Sequence, residues 1–167
     1  MTTGESPTVD DASDRVLDRE SAIVLVTGRT RLDALERALV RDGFTLDLAP
    51  GAVGTTTVDA WLAEGAPGSR DPFRDPVDHL VAGFELSLRN GTRIVLRPVP
   101  RRSTGPDLLA LGFGTAGTIG RFDRVWLRMH ALGTVRAESS RFAHDGNPDE
   151  SDAERAIWSR IRSAFDT

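Results

Sequence analysis

Two stretches of alternating apolar and polar residues flank Asn90-Gly91, and this pattern constrains the fold more than any other. On the N-terminal side, every second position is apolar, namely Leu80, Ala82, Phe84, Leu86 and Leu88. On the C-terminal side, Ile94 and Leu96 continue the same period. A period of two is typical of a strand with one buried face, and Asn-Gly favours a tight turn because both residues tolerate positive φ. The sequence therefore predicts an antiparallel β-hairpin here.

The chain before the hairpin predicts two strands and two helices. Residues 22–26 form a β-branched apolar run that suits a buried strand. Thr30 is the candidate N-cap of a helix, with Asp33 three residues further on. A short strand is expected at residues 44–48, and a short helix at residues 58–64.

A third alternating run, residues 122–130, predicts a strand with two different faces. Its apolar residues fall on one face, while Trp126 lies on the other face between Arg124 and Arg128. An aromatic residue among charges indicates that this face is covered, either by a helix of this chain or by a partner.

Composition divides the chain into four parts. Residues 1–20 are polar and acidic, and are predicted to be a disordered leader. Residues 21–135 carry the strand and helix patterns and form the predicted domain, followed by a polar linker at 136–150. Residues 151–167 predict a C-terminal helix that docks on the domain through an apolar stripe consisting of Ile157, Trp158, Ile161 and Phe165.

The residues that are missing exclude several kinds of chemistry. The sequence has 21 Lys+Arg against 25 Asp+Glu. All of these cations are Arg, so Lys is absent, and Cys and Tyr are absent as well. A Schiff base, a thiolate nucleophile and a Cys-based metal site are therefore excluded. His79, His130 and His144 are too scattered to predict a catalytic or metal site. The net charge of −4 argues against nucleic-acid binding. No apolar run is long enough to span a bilayer, so a cytoplasmic protein is expected.

Four short motifs, taken in order, resemble a known family. Residues 56–63 read Thr-Thr-Val-Asp-Ala-Trp-Leu-Ala, and residues 66–68 read Ala-Pro-Gly. Residues 103–108 read Ser-Thr-Gly-Pro-Asp-Leu, and residues 114–120 read Gly-Thr-Ala-Gly-Thr-Ile-Gly. Together they resemble the FAD-binding (PCMH-type) domain of the vanillyl-alcohol-oxidase/p-cresol-methylhydroxylase superfamily. The resemblance is closest to its alkyl-dihydroxyacetone-phosphate-synthase and D-lactate-dehydrogenase-like branch.

This resemblance implies an α+β fold in which an antiparallel or mixed β-sheet is flanked by helices, equivalent to the second lobe of the FAD domain. The pyrophosphate-binding lobe or the substrate domain would come from a partner chain. The protein is thus expected to be a truncated or split subunit of an FAD-linked oxidoreductase that is not catalytic alone. FAD would be held non-covalently, because no Cys, Tyr or matching His could tether it. The matching cofactor-binding positions are Thr57, Ala66, Gly117, Thr118, Ile119 and Gly120.

The chain departs from the family pattern at positions that would face the cofactor. The family's Gly-Gly pair is Asp59-Ala60 here, and its Glu is Ala116. A carboxylate ~4 Å from a phosphate would be repelled by on the order of 4 kcal/mol at a surface-like dielectric. Two hypotheses therefore stay open, namely an FAD-binding subunit with weakened contacts, and a non-catalytic structural or interaction module that keeps the fold without FAD.

Overall fold

The alternating runs and the apolar run at 22–26 contribute four strands of a five-stranded antiparallel sheet. A computed structural model describes residues 14–49, 51–52, 54–69, 80–98 and 108–133. The strands of the sheet are β1 (Val16–Asp18), β2 (Ile23–Thr27), β4 (Val81–Leu88), β5 (Arg93–Leu96) and β6 (Gly120–Arg128). They lie in the order β1-β2-β6-β4-β5, and a separate two-stranded sheet pairs β3 (Phe44–Thr45) with β7 (His130–Ala131). The predicted α+β class with an antiparallel sheet is confirmed.

One face of the large sheet and two helices contribute to a single hydrophobic core. The helices are α1 (Leu32–Arg41) and α2 (Val58–Ala63), and a 3₁₀ helix spans Leu108–Leu111. Leu35 and Leu39 of α1, four residues apart on one side of the helix, are fully buried. On the sheet, the inward residues Val24, Val125 and Leu127 are fully buried as well.

The predicted hairpin is confirmed, but its turn differs from the expected one. Of the two turn residues, only Gly91 has a positive φ, at 84°. The Gly91 N–H donates to the Leu88 carbonyl at 3.0 Å, and the Leu88 N–H donates to the Thr92 carbonyl at 2.8 Å. The loop thus has three residues, with glycine in the left-handed position that ends such a turn.

Strand β4 departs from simple alternation. Its pairing with β6 shifts between Val81 and Gly83, so that Val81, rather than Ala82, lies opposite Leu127. A bulge of this kind changes which side chains share a face. Glu85 lies on the face away from the core, as simple alternation with Phe84 and Leu86 predicts, where it is nevertheless buried and forms an ion pair with Arg93.

Helix α1 does not begin as predicted, because tertiary contacts hold the residues before it. Its N-cap is Arg31 rather than Thr30, and no side chain caps it. Arg31 forms a β-bridge with Thr57, and the Thr30 carbonyl accepts from the Val58 N–H at 2.9 Å. These bonds hold Arg31 in an extended conformation, so the helix begins only at Leu32.

The predicted strand at 44–48 is shorter than expected. It pairs only at Phe44 and Thr45. The Leu46 N–H donates instead to the Glu36 carboxylate at 3.0 Å, and Asp47 has a φ of 55°. A left-handed residue interrupts an extended strand.

The predicted disordered leader, residues 1–20, contains a strand, since β1 lies within it. Arg15 and Arg19, which flank β1, donate to the Asp42 carboxylate at 2.7 and 3.2 Å. Residues 1–13, the predicted linker and the predicted C-terminal helix lie outside the described residues, so those boundaries remain predictions. In the part of the chain that is described, neither helix has the length and apolar character needed to cross a membrane.

Candidate functional site

A cleft of about 480 Å³ lies where β2 ends, α2 begins and β6 begins. Two of its lining residues drew attention in the sequence, namely Thr57 as a family match and Asp59 as a departure. The complete lining is Thr27, Gly28, Arg29, Thr57, Asp59, Arg121, Phe122 and Asp123. The fold thus brings segments far apart in the sequence to one opening.

Gly28 forms the tightest point of this cleft. Its N–H donates to the Asp123 carbonyl at 2.9 Å, and its own carbonyl accepts from the Asp59 N–H at 2.8 Å. A Cβ at this position would lie 1.8 Å from the Phe122 carbonyl oxygen. Only glycine permits β2, α2 and β6 to meet at this distance.

The first backbone donors of α2 are all used within the protein. The Val58 N–H donates to the Thr30 carbonyl and the Asp59 N–H to the Gly28 carbonyl, while the Ala60 N–H donates to the Thr57 hydroxyl at 3.3 Å. The start of a helix normally leaves such donors available to an anion. Here none of these three is available.

Asp59 occupies the cleft with its carboxyl group. Its Oδ1 accepts from the Phe122 N–H at 2.7 Å, so this backbone donor is also taken. Partial burial raises the pKa of Asp59, and the bond from Phe122 opposes that rise. Arg121 favours the ionised form of Asp59, whereas Asp123 disfavours it.

The other charges of the cleft largely balance one another. Arg121 lies with its Nε 3.3 Å from Asp123 Oδ1, and its side chain is 65% exposed. Ser87 also donates to the Asp123 carboxylate. The cleft contains two arginines and two carboxylates. The backbone N–H groups of Gly28, Asp59 and Phe122 already donate within the protein. The cleft as described therefore does not by itself fit the diphosphate of a dinucleotide.

The remaining predicted site residues lie outside the lining of this cleft. Ala66 is fully buried with a φ of 51°, and its N–H donates to the Trp61 carbonyl at 2.8 Å. Ile119 is 2% exposed, and a Cβ on Gly120 would lie 2.6 Å from the Ser87 carbonyl oxygen. These three residues shape the fold in this structure, and their contact with a cofactor stays a prediction.

Gly117 and Thr118 belong to the turn that leads into β6. Gly117 has a φ of 69°, and the Thr118 hydroxyl donates to the Thr115 carbonyl at 2.7 Å. The same loop docks on the end of α2, where the Ala116 N–H donates to the Ala63 carbonyl at 2.8 Å. The two family-like motifs are therefore neighbours in space, although their role in cofactor binding is untested.

Sequence reasoning missed Gly28 as a site residue. The available signal was Thr27-Gly28 at the end of a buried strand, where a glycine often marks close backbone approach. Of the histidines, His130 lies in β7, whereas His79 and His144 fall outside the described residues. Within the described ranges, no three His, Cys, Asp or Glu side chains converge as metal ligands.

Comparisons with known proteins give a consistent result. The profile of the family described as "FAD binding domain" matches residues 11–97. The alkyldihydroxyacetonephosphate synthase of Caenorhabditis elegans is 26% identical over 120 residues, which cover 72% of this chain and 20% of the relative. The FAD-linked oxidoreductase YgcU of Escherichia coli is 28% identical over 88 residues, covering 53% of this chain and 18% of the relative.

Solved structures support the same fold. A structure of alkyldihydroxyacetonephosphate synthase superposes with a TM-score of 0.58 at 20% identity, covering 72% of this chain and 21% of that chain. A second structure of that enzyme gives a TM-score of 0.57, also at 20% identity, and 22% of that chain is covered. The chain therefore spans about a fifth of the length of the relatives and structures that it matches.

Proposed function

Because this chain belongs to the FAD binding domain family, we propose that it is a flavin-binding component of an FAD-linked oxidoreductase with weakened, non-covalent contacts to FAD. FAD is the cofactor of the family. The observation that carries the proposal is the convergence of Gly28, Thr57 and Phe122 on one cleft, within a fold shared with a much longer enzyme. The binding groups that this cleft lacks come from outside the described residues.

A partner chain that supplies the pyrophosphate-binding lobe or the substrate domain is part of this proposal. The occupied backbone donors of Asp59 and Phe122 support it, since a diphosphate would need donors from outside the described cleft. No residue of the described cleft is assigned a catalytic role, because no acid, base or nucleophile there is paired as catalysis requires.

One observation favours a different function, a non-catalytic structural or interaction module. The Asp59 carboxyl group accepts the Phe122 N–H and occupies the cleft. It thereby takes the place of an anionic ligand while adding a negative charge that repels one. On this alternative, the carboxylate has replaced the cofactor as the group that stabilises the cleft.

Titration with FAD distinguishes the two functions. Asp59→Asn removes the charge but keeps an oxygen that can accept the Phe122 N–H. We expect this variant to bind FAD about tenfold or more tightly than the wild type, since tenfold corresponds to ~1.4 kcal/mol of relieved repulsion. Quenching of flavin fluorescence measures the affinity. Glu20→Gln, which changes the net charge equally at an exposed position outside the cleft, is the matched control and should leave the affinity unchanged.

Two further conditions sharpen the test. Riboflavin carries no phosphate, so Asp59→Asn should not improve its binding. The pKa of Asp59 is raised, so lowering the pH protonates this carboxylate and removes its charge. Acidification should therefore tighten FAD binding by the wild type more than by Asp59→Asn. If neither protein binds FAD at millimolar concentration, the flavin-binding proposal is wrong and the interaction module is favoured.

A further inference from the structure

The face of the sheet opposite the core carries an apolar surface that is only partly covered. Register places Leu25 opposite Trp126 and Val16 opposite Leu25 on this face. Leu25 and Trp126 are partly exposed, and Val16 is 60% exposed. We call Val16, Ile23, Leu25 and Trp126 the outer apolar patch; they line a depression of about 490 Å³.

One nitrogen of a charged side chain at the edge of this patch also lacks a hydrogen-bond partner among the described residues. Arg128 lies opposite Ile23 in the register and lines the same depression. Its Nε is buried and has no hydrogen-bond partner among the described residues. A buried N–H of a guanidinium group is stabilised by an acceptor, and a carboxylate is the strongest one available in proteins. Asp18 lines the same depression, but its carboxylate accepts from the Ser21 N–H at 3.0 Å. The occupant of the depression should therefore combine an apolar face with an acceptor for the Nε of Arg128.

We propose that residues 151–167 form a helix that docks on the outer apolar patch. Ile157, Ile161 and Phe165 recur at intervals of four and so share one side of a helix, with Trp158 adjoining them. Asp152 and Glu154 precede this stripe, and either carboxylate would supply the acceptor that Arg128 Nε lacks. The one segment thus provides both of the properties that the depression requires.

The dimensions of the segment agree with this placement. As a helix, residues 151–167 would be roughly 25 Å long at 1.5 Å per residue. The five strands of the sheet, spaced about 4.8 Å apart, span roughly 20 Å. The description stops at Gly133, just after β6 and β7. Residues 134–150 could reach about 55 Å if extended, which is more than the sheet requires.

Thiol labelling of the full chain tests this contact. The protein has no Cys, so Leu25→Cys introduces a single reporter in the patch. We expect a maleimide to react with it about tenfold or more slowly than with Cys introduced by Thr92→Cys on the exposed hairpin, since tenfold protection corresponds to ~1.4 kcal/mol of docking free energy.

Substitutions in the segment identify the occupant. Adding Ile161→Asp to Leu25→Cys should restore labelling close to that of the exposed reporter. Ser163→Asp is the matched control, because position 163 lies about 200° around the helix from position 161; it should leave the protection intact. Ile161→Ala should raise the labelling rate less, and in the same direction. Circular dichroism at the labelling temperature shows that each variant retains the folded domain.

Three results would overturn the proposal. Rapid labelling of Leu25→Cys in the otherwise unchanged chain means that this segment does not cover the patch. A separate partner would then be its occupant. Protection that disappears on dilution assigns the patch to a second copy of the chain. Equal protection in the Ile161→Asp and Ser163→Asp variants means that the apolar stripe does not make the contact. Because none of these measurements involves flavin, their failure is distinguishable from failure of the proposed function.

Discussion

Gly28 and Asp59 meet through a 2.8 Å hydrogen bond, and they shape the cleft in opposite ways. Gly28 contributes by having no side chain, since a Cβ would overlap the Phe122 carbonyl oxygen. Asp59 contributes a carboxyl group that reaches the Phe122 N–H. At this scale, one residue permits the close approach of β2 to β6, and the other occupies the space where an anionic ligand would bind.

Gly28→Ala tests the close approach. We expect it to lower the free energy of unfolding by about 1–3 kcal/mol, because overpacking forces the backbone of β6 to shift. Urea denaturation measures this change. Gly54→Ala is the matched control, since Gly54 lacks a positive φ and its nearest heavy-atom neighbour would be 4.0 Å from the new Cβ. Equal stability of the two variants would contradict the clash.

The hairpin of β4 and β5 shows what a short motif specifies about an element. Asn90-Gly91 predicted where the strands turn, and the structure confirms that position. The motif did not specify the loop length or the bulge in β4. These depend on pairing with β6, in which Val81 lies opposite Leu127.

Gly91→Ala tests the turn at this scale. The φ of 84° at Gly91 is unfavourable for any residue with a Cβ, so the substitution should lower the free energy of unfolding by about 1–2 kcal/mol. Gly91→Asn should cost less, because Asn tolerates the left-handed region better. Thermal unfolding of the two variants measures the difference. If Gly91→Ala were as stable as Gly91→Asn, the left-handed turn would not be required.

The whole molecule is held together partly by ion pairs that join distant segments. Asp42 follows α1 and binds Arg15 and Arg19, the residues on either side of β1. The hydrogen bond from Arg15 is the largest cause that lowers the pKa of Asp42 below its ordinary value of 3.8. A lowered pKa in the folded state means that the ionised form stabilises folding.

The acid stability of the protein should therefore depend on this contact. The contribution of Asp42 is fully present above pH 3.8 and is lost as the pH falls through its lowered native pKa. Asp42→Asn should reduce stability at neutral pH and flatten the fall in stability below that point. Urea denaturation at several pH values measures both effects.

Arg15→Gln removes only the Arg15–Asp42 pair and should have the same effects to a smaller extent, since the Arg19–Asp42 pair remains. The double variant should then lose little more than Asp42→Asn alone, since that substitution already removes the pair with Arg15 as well as the pair with Arg19. Fully additive losses would show that Asp42 and Arg15 act independently.

The sequence by itself determined β2, β6, α2, the hairpin of β4 and β5 and the family resemblance, because periodicity, turn residues and short motifs are local properties. Only the tertiary structure decided where α1 begins, how β4 bulges and which residues share the cleft. The partner of Asp59 is the clearest case: the Phe122 N–H is 63 positions away in the chain. Nothing local to either residue encodes that bond, because it forms only when packing places the start of α2 against the start of β6.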